Sequence, residues 1–225
     1  MNDANASEVR ELLSGLAAVA FDFDGVLVDS VGVKRDAFLD LYSTESDEFR
    51  AGVARHHHEH GGISRYDKIA HYERIRTGVE PLPRRVDLLA SEFARAVKQR
   101  VLSADEMPGA SELLEQLSQT LPLFVCSGTP ELELREIVLA RKWAQQFQGV
   151  FGSPATKPVM LSAIAAAIGC SRDEILLIGD SSTDWDAARE AGARFLLVAP
   201  DREVGVPREY RGPIVRRPDE ILRLL

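Results

Sequence analysis

The chain has 225 residues, enough to bury a substantial core and to hold one domain of ordinary size with a smaller one inserted into it. A composition of 45% hydrophobic and 28% charged residues excludes a disordered or fibrous chain. The formal net charge of −8 argues against nucleic acid as the main partner, because binding to a phosphate backbone usually requires a basic face.

The N-terminal residues are acidic and polar, which is unlike a secretory signal. No apolar run approaches the roughly 20 residues that span a bilayer. We therefore expect a cytoplasmic protein with no membrane partner. Cys126 and Cys170 lie in or beside apolar segments without a close-spaced metal pattern, so we interpret both as reduced core thiols.

Short apolar runs of strand length recur along the chain and are separated by segments of helical length. Continuous apolar runs are typical of strands that are covered on both faces of a parallel sheet. The predicted strands cover residues 16–23, 121–127, 149–153, 174–180 and 194–199. The predicted helices cover residues 111–117, 130–143, 159–168 and 185–191, the last closed by Gly192. This alternation predicts an α/β fold with a doubly wound, Rossmann-like parallel sheet.

Residues 32–105 interrupt this alternation and show only helical patterns. Ser64, with Asp67 three residues later, resembles a capping box at the start of a helix. Apolar residues also recur at helical spacing, at positions 86, 89, 90, 93 and 97. We therefore predict an all-helical domain at residues 32–105, inserted into a core formed by residues 1–31 and 106–225.

Two aspartates mark the end of the first predicted strand, in the segment FDFDGVL. Asp22 and Asp24 stand where an open α/β sheet presents its ligand site. Gly25 allows a turn there, which can re-aim the second carboxylate. Close carboxylates repel each other and favour a hard cation such as Mg²⁺. The alternative is that Asp24 only caps the turn.

Polar residues also follow the later strands. The segment CSGTP at 126–130 precedes a helix whose N-terminus would suit an anion. Local evidence favours Thr129 as an ordinary N-cap before Pro130, which is compatible with anion binding. Lys157 precedes the next predicted helix. A lone lysine is usually solvated, so the position of Lys157 alone does not indicate a function. The fourth strand ends in IGDSSTD, in which Asp184 alone would be an N-cap.

Taken in order, these segments resemble the four motifs of the haloacid dehalogenase superfamily, over about residues 16–200. The resemblance of DFDGVLVDS to the first motif implies that Asp22 is the nucleophile and Asp24 the general acid and base. True dehalogenases lack the second aspartate, so Asp24 indicates phosphoryl chemistry. The resemblance further implies that Ser127, Gly128 and Lys157 bind the phosphoryl oxygens.

The same resemblance implies a Mg²⁺ site. Asp22, Asp180 and the backbone carbonyl of Asp24 would bind the metal, and Asp184 would support it through water or by orienting Lys157. One departure concerns the third motif, where Lys-Pro is usually followed by another proline and an acidic residue but here by VML. The departure weakens the expected loop geometry and leaves the assignment of the lysine unchanged.

The inserted helices resemble the cap that many members of the superfamily place over the site, where it selects the substrate. In the segment GGISRYDK at 61–68, the glycines allow close approach and Arg65 can reach an anion. Arg65 and Lys68 are therefore the candidates for substrate specificity, with a plain surface turn as the alternative. His56 and His60, one helical turn apart, suggest a metal site, but a partly exposed cap helix is our preferred interpretation.

The resemblance implies a Mg²⁺-dependent phosphatase that acts on a small phosphorylated metabolite, such as a sugar phosphate, through an aspartyl-phosphate. One alternative is a sugar phosphomutase of the same superfamily. A phosphoacceptor signalling module is a second alternative, against which the insertion and the second aspartate both argue. The motifs leave the leaving group and the oligomeric state open.

Overall fold

A parallel sheet of six strands forms the centre of the protein in the computed structural model, which describes residues 3–200, 206–207 and 209–225. The strands are β1 (Ala18–Phe21), β2 (Leu123–Pro130), β3 (Phe147–Ser153), β4 (Ile175–Gly179), β5 (Arg194–Val198) and β6 (Ile214–Val215). They lie in the order β3-β2-β1-β4-β5-β6, so the winding reverses between β1 and β4. Ligands of open α/β sheets bind beyond the carboxyl ends of the strands at such a reversal.

Helices cover both faces of this sheet, which confirms the predicted doubly wound α/β fold. In chain order they are α1 (Asp3–Leu13), α2 (Val31–Leu41), α3 (Asp47–Glu59), α4 (Arg65–Thr77), α5 (Pro83–Ser103), α6 (Ala110–Ser118), α7 (Glu131–Ala140), α8 (Lys157–Ile168), α9 (Ser182–Ala191) and α10 (Pro218–Leu222). Among the described residues, no helix is both long and apolar enough to cross a membrane.

Side chains of β1 alternate between two hydrophobic clusters on opposite faces of the sheet. Val19 and Phe21 pack in the cluster that includes residues of α6 and α7, whereas Ala18 and Ala20 pack in the cluster that includes residues of α8 and α9. Since both faces are buried, the strands can be apolar at every position. Both cysteines are free; Cys126 is buried in the second cluster, whereas Cys170 is only partly buried against it and is not a core residue.

The helices α2 to α5 form the insertion between β1 and α6, and the described residues from the start of α2 to the end of α5 contain no strand, as predicted. Aromatic side chains pack in its interior: the ring of Phe38 lies 4.2 Å from Phe93 and 5.6 Å from Tyr72 between centroids. The five apolar positions predicted to share one face of α5 are all buried. The division at residues 31/32 and 105/106 stays a prediction.

Several helix starts differ from the sequence-based expectations. The helix expected from Val159 begins at Lys157, so the lysine is the first residue of α8 instead of preceding it. The helix expected from Pro130 begins at Glu131 and ends at Ala140, so Pro130 is its N-cap and Thr129 lies in β2. The N-cap of α9 is Ser181 instead of Asp184. Asp184 occupies the third helical position and completes a capping box, because its carboxylate accepts a hydrogen bond from the Ser181 backbone N–H at 3.2 Å.

The expected capping box at the start of α4 is present only in half. The hydroxyl of Ser64 accepts a hydrogen bond from the backbone N–H of Tyr66 at 3.3 Å, but Asp67 does not make the reciprocal contact. One side-chain cap still satisfies a backbone donor that the first turn of a helix leaves without a partner. Ser64 therefore fixes the start of α4, directly before Arg65.

Candidate active site

The register of the sheet brings the predicted motifs together at one edge. Phe21, the last residue of β1, pairs with Val125 of β2 on one side and with Ile178 of β4 on the other. The residues that follow these strands therefore emerge side by side. The backbone N–H of Asp22 continues the pairing by donating a hydrogen bond to the carbonyl of Ile178 at 2.8 Å.

Asp22 is buried, with 1% of its surface exposed, and two partners fix its carboxylate. Its Oδ1 accepts a hydrogen bond from the backbone N–H of Phe23 at 2.7 Å, and its Oδ2 lies 2.9 Å from Nζ of Lys157. Burial raises the pKa of Asp22 to about 7. The attraction of Lys157 lowers this pKa, whereas the repulsion of Asp184 and Asp24 raises it further. The site thus holds a desolvated carboxylate in a single orientation.

Three carboxylates converge beside β1 and β4. One oxygen from each of Asp22, Asp180 and Asp184 lies within 4.8 Å of the others. Burial and the repulsion of Asp22 and Asp184 raise the pKa of Asp180 well above its usual value. Such a group is destabilised without a cation, and hard oxygen ligands of this kind suit Mg²⁺. The donor set therefore fits a divalent metal ion.

Gly25 lets the chain turn directly against this cluster. Its φ of 79° lies in the left-handed region, and a Cβ at this position would stand 2.1 Å from Oδ2 of Asp180. Any other residue would therefore displace the carboxylate as well as strain the turn. The glycine is required by the close approach of the turn to Asp180.

Lys157 contacts one aspartate of the first motif, Asp22, and one of the fourth motif, Asp184. Its ammonium forms ion pairs with both Asp22 and Asp184. Burial by itself lowers the pKa of Lys157, but the attraction of the two carboxylates outweighs burial and raises the pKa above its ordinary value. The hydroxyl of Ser181 donates to the other oxygen of Asp184 at 2.5 Å, so Asp184 is fixed from both sides. Lys157 is therefore a fully charged group beside Asp22.

Asp24 has different surroundings from the other acidic residues. Its Oδ1 accepts a hydrogen bond from the Ser30 hydroxyl at 2.5 Å, and its Oδ2 forms an ion pair with Lys34, whose Nζ also donates to Oγ1 of Thr129 at 2.7 Å. Burial would raise the pKa of Asp24, but Lys34 and Ser30 lower it below its usual value. Its side chain is thus separate from the three-carboxylate cluster, and a metal contact through its backbone carbonyl stays a prediction.

Ser127 and Gly128 lie at the end of β2. Ser127 is buried, and its hydroxyl accepts a hydrogen bond from the backbone N–H of Thr129 at 3.1 Å. Gly128 faces the insertion so closely that a Cβ there would stand 2.2 Å from the carbonyl oxygen of Gly62. Their phosphate-binding roles stay predictions.

The Gly61-Gly62 turn of the insertion lies against the core loops. The carbonyl of Gly61 accepts hydrogen bonds from the hydroxyls of Thr183 and, at 3.4 Å, Ser181. Gly62 has a φ of 74°, and a Cβ there would be 2.9 Å from Nζ of Lys157. The insertion is therefore closed over the residues of the third and fourth motifs.

A cavity of about 680 Å³ lies between the insertion and the core. A volume of this size suits a small-molecule ligand. Among the charged residues that line it are Asp24 and Asp180 of the core and Lys34, Arg65 and Lys68 of the insertion. Asp22 is not part of the lining, in agreement with its burial.

Arg65 and Lys68, the predicted specificity residues, are both buried and both line the cavity. Arg65 crosses to the core, where its guanidinium donates to Oε1 of Glu133 at 2.8 Å, and it lies over the ring of Phe93. Lys68 remains within the insertion, with Nζ 3.0 Å from Nδ1 of His57. The alternative of a plain surface turn is therefore wrong for these two side chains.

His56 of α3 stacks on the ring of His71 of α4 and packs against the tilted ring of His60. The ring of His56 lies 4.2 Å from His71 and 4.4 Å from His60 between centroids. Burial and these two neighbours lower the pKa of His56 to about 4. Within the described ranges, the three side chains close enough together to share a metal ion are Asp22, Asp180 and Asp184. The described histidines do not form such a group, which favours a partly exposed cap helix over a histidine metal site.

Sequence reasoning missed the groups that contact the predicted site residues from elsewhere in the chain. Lys34, Ser30 and the hydroxyl of Thr129 surround Asp24, and His57 contacts Lys68. Lys34 lies in the first turn of α2, ten residues after Asp24, where the sequence gives no sign that the helix will turn back over the strand end.

Comparison with known proteins agrees with this geometry. The haloacid dehalogenase-like hydrolase family matches residues 16–192, and the chain belongs to this family. A phosphoglycolate phosphatase from Rhodospirillum rubrum is 28% identical over 192 residues, which cover 81% of this chain and 79% of the relative.

Similar solved structures have the same fold. A crystal structure from Haemophilus somnus, described as a predicted phosphoglycolate phosphatase, has a TM-score of 0.71 and 19% identity, covering 94% of this chain and 99% of the other. A structure from Bacteroides vulgatus, provisionally described as a beta-phosphoglucomutase, has a TM-score of 0.69 and 19% identity, covering 99% and 89%. The protein is accordingly a hydrolase of the haloacid dehalogenase type, and its relatives support phosphoric monoester hydrolysis.

Proposed function

We propose that the protein hydrolyses the phosphate monoester of a small metabolite in a Mg²⁺-dependent reaction, through an aspartyl-phosphate on Asp22. The observation that carries the proposal is the orientation of the buried Asp22 carboxylate, held by Phe23 and Lys157 next to two further carboxylates. Covalent catalysis of this kind divides one difficult displacement into two easier ones.

In the first step a carboxylate oxygen of Asp22 attacks phosphorus, the bond from phosphorus to the leaving oxygen breaks, and Asp24 gives its proton to that oxygen. Ser127, the backbone N–H of Gly128 and the Lys157 ammonium bind the phosphoryl oxygens. Asp24 contacts Lys34 and Ser30 in this structure, so its role as an acid requires that contact to break when the substrate enters.

In the second step water attacks the phosphorus of the aspartyl-phosphate while Asp24 accepts a proton from that water. The bond between Asp22 and phosphorus breaks, which releases phosphate and restores the Asp22 carboxylate. The carboxylate form of Asp24 that Lys34 and Ser30 stabilise is the form that this step needs.

Asp22, Asp180 and the backbone carbonyl of Asp24 would hold the metal ion, and Asp184 would act indirectly by orienting Lys157. A bound Mg²⁺ would supply positive charge opposite the phosphoryl oxygens. The convergence of three carboxylates, with the pKa of both Asp22 and Asp180 raised, supports this assignment.

A panel of metabolite monophosphates, assayed for phosphate release with and without Mg²⁺, tests the proposal. The panel includes phosphoglycolate, because the relative from Rhodospirillum rubrum is named for its hydrolysis, and hexose phosphates. We expect phosphate release that a chelator stops and Mg²⁺ restores. Full activity in excess chelator would contradict the metal assignment, and isomerised hexose phosphate without release of phosphate would indicate a mutase instead.

A further inference from the structure

Lys68 is a buried cation that faces the cavity without an acidic partner. Its side chain is 3% exposed and lines the same cavity as Asp24 and Asp180. No carboxylate of the described residues lies within ion-pair distance of Lys68, whose hydrogen-bond partner is Nδ1 of His57 at 3.0 Å. A buried ammonium without a counter-ion is strongly unfavourable unless an anion arrives to pair with it.

His57 does not neutralise this charge. Burial and the charges of Lys68 and Lys34 lower the pKa of His57 to about 3, so its neutral ring accepts the hydrogen bond from Lys68. The pKa of Lys68 is itself lowered to about 7, first by burial and then by Lys34, while Asp24, Asp180 and Asp22 attract the charge from a greater distance. An additional anion near Lys68 would oppose this shift, because it favours the charged form of the ammonium.

The other two cations in the lining of the cavity already have partners. Arg65 is paired with Glu133, and Lys34 is paired with Asp24. Lys157, which faces the predicted phosphate site, is paired with Asp22 and Asp184. Among the described cations around the cavity, Lys68 is thus the one whose charge is left for a ligand.

We infer that Lys68 binds a second anionic group of the substrate, so that the substrate is a phosphate monoester whose alcohol part carries a carboxylate or another phosphate. This inference rests on the proposed phosphatase function and names the substrate class of the same site. Phe38, whose ring centroid lies 5.9 Å from Nζ of Lys68, and Phe93 close the apolar side of the pocket. A charge-assisted hydrogen bond formed in so dry a place discriminates strongly against uncharged analogues.

Matched substrate pairs test the inference and separate the two sources of the anion. The carboxylate pair is phosphoglycolate and 2-hydroxyethyl phosphate, in which an uncharged hydroxymethyl group replaces the carboxylate. The phosphate pair is a hexose bisphosphate and the corresponding hexose monophosphate. We expect the wild-type protein to favour the anionic member of one pair in kcat/KM by about 10- to 100-fold, as for loss of one charge-assisted hydrogen bond.

The variant Lys68→Met removes the charge and retains the length of the side chain, whereas Lys98→Met changes an exposed lysine of the insertion outside the cavity. Lys68→Met should lose the preference for the anionic member and change activity on the uncharged member by less than about threefold. Lys98→Met should keep the preference. The melting temperature of Lys68→Met should be unchanged or higher, since a buried unpaired charge is removed.

The preference should also depend on pH. As the pH rises through about 7, Lys68 of the free protein loses its proton, so the ratio of kcat/KM for the anionic over the uncharged member should fall. Taking the ratio cancels the titration of groups that act on both substrates. The fall should be absent in Lys68→Met.

The outcomes distinguish this inference from the function on which it rests. If the wild-type protein releases no phosphate from any compound with Mg²⁺ present, the phosphatase proposal fails. If it hydrolyses charged and uncharged members of both pairs equally well, or if Lys68→Met loses activity equally on both members, the second-anion site is overturned while the phosphatase proposal stands.

Discussion

The core and insertion sides of the cavity differ in how their charges are balanced. On the core side Lys157 lies between Asp22 and Asp184, and the three-carboxylate cluster fits a metal ion. On the insertion side Lys68 has a neutral histidine as its partner. The core motifs are those of phosphoryl transfer in general. The difference in charge balance therefore indicates that core residues carry out the reaction and that insertion residues determine substrate specificity.

The largest expected effect on the core side comes from Asp22→Asn. The amide is nearly isosteric but cannot attack phosphorus, so kcat should fall by about 10⁴-fold or more while the fold is kept. Phosphate release and circular dichroism measure the two properties, with Asp186→Asn, an exposed change on α9, as the matched control. A folded variant with a tenth of the wild-type activity would remove Asp22 from the role of nucleophile.

Asp24→Asn should have the next largest effect, because it removes a proton transfer worth about 10² to 10⁴ in rate. The loss should be greatest for substrates with poor leaving groups, which need a proton on the departing oxygen. A comparison of an alkyl phosphate with an aryl phosphate measures this difference. Equal rates for variant and wild type on the alkyl phosphate would contradict the acid-base role.

The third variant, Asp180→Asn, tests metal binding without relying on enzymatic activity. Asp180→Asn removes one of three mutually repelling carboxylates, so the metal-free variant should melt at a higher temperature than the metal-free wild type. Mg²⁺ should raise the melting temperature of the wild type, because a ligand that binds the native state stabilises it, but not that of the variant. An equal rise in both proteins would show that Asp180 does not bind the metal.

The smallest effect is expected where the insertion meets the core. The pair of buried Arg65 and half-buried Glu133 should give a coupling energy of about 0.5–3 kcal/mol in a double-mutant cycle of Arg65→Ala and Glu133→Ala, measured by denaturant unfolding. Arg65→Ala should reduce kcat/KM on charged and uncharged substrates alike if the arginine only holds the insertion closed. A selective loss of about 10- to 100-fold on charged substrates would instead show direct contact with the substrate.

The sequence predicted the sheet and the four motifs because each depends on local pattern. Continuous apolar runs indicate strands covered on both faces, and the motif residues directly follow those strands. Helix α1, strand β6 and helix α10 were not predicted; β6 is only two residues long, too short for a pattern to develop.

The partners of the site residues were not predictable in the same way. Lys34 and Thr129 are 95 residues apart, and Arg65 and Glu133 are 68 apart, so their contacts follow from how the insertion packs on the core. Local propensity also placed the N-caps of α7 and α9 incorrectly. At α9, Ser181 and Asp184 are both good N-cap residues. Because β4 ends at Gly179, the helix begins early enough for Ser181 to be the N-cap.

The most direct test of the central claim is to trap the covalent intermediate. Asp24→Asn, which lacks the group that activates water, is mixed with Mg²⁺ and an aryl phosphate that needs no acid, quenched in acid, and digested for mass spectrometry. We predict that the mass of one phosphoryl group is added to the peptide that contains Asp22, and that it is absent in the double variant Asp22→Asn/Asp24→Asn. Turnover of the same substrate by the wild-type protein with no phosphorylated Asp22 in the quenched variant, or a phosphoryl group on another residue, would contradict the account.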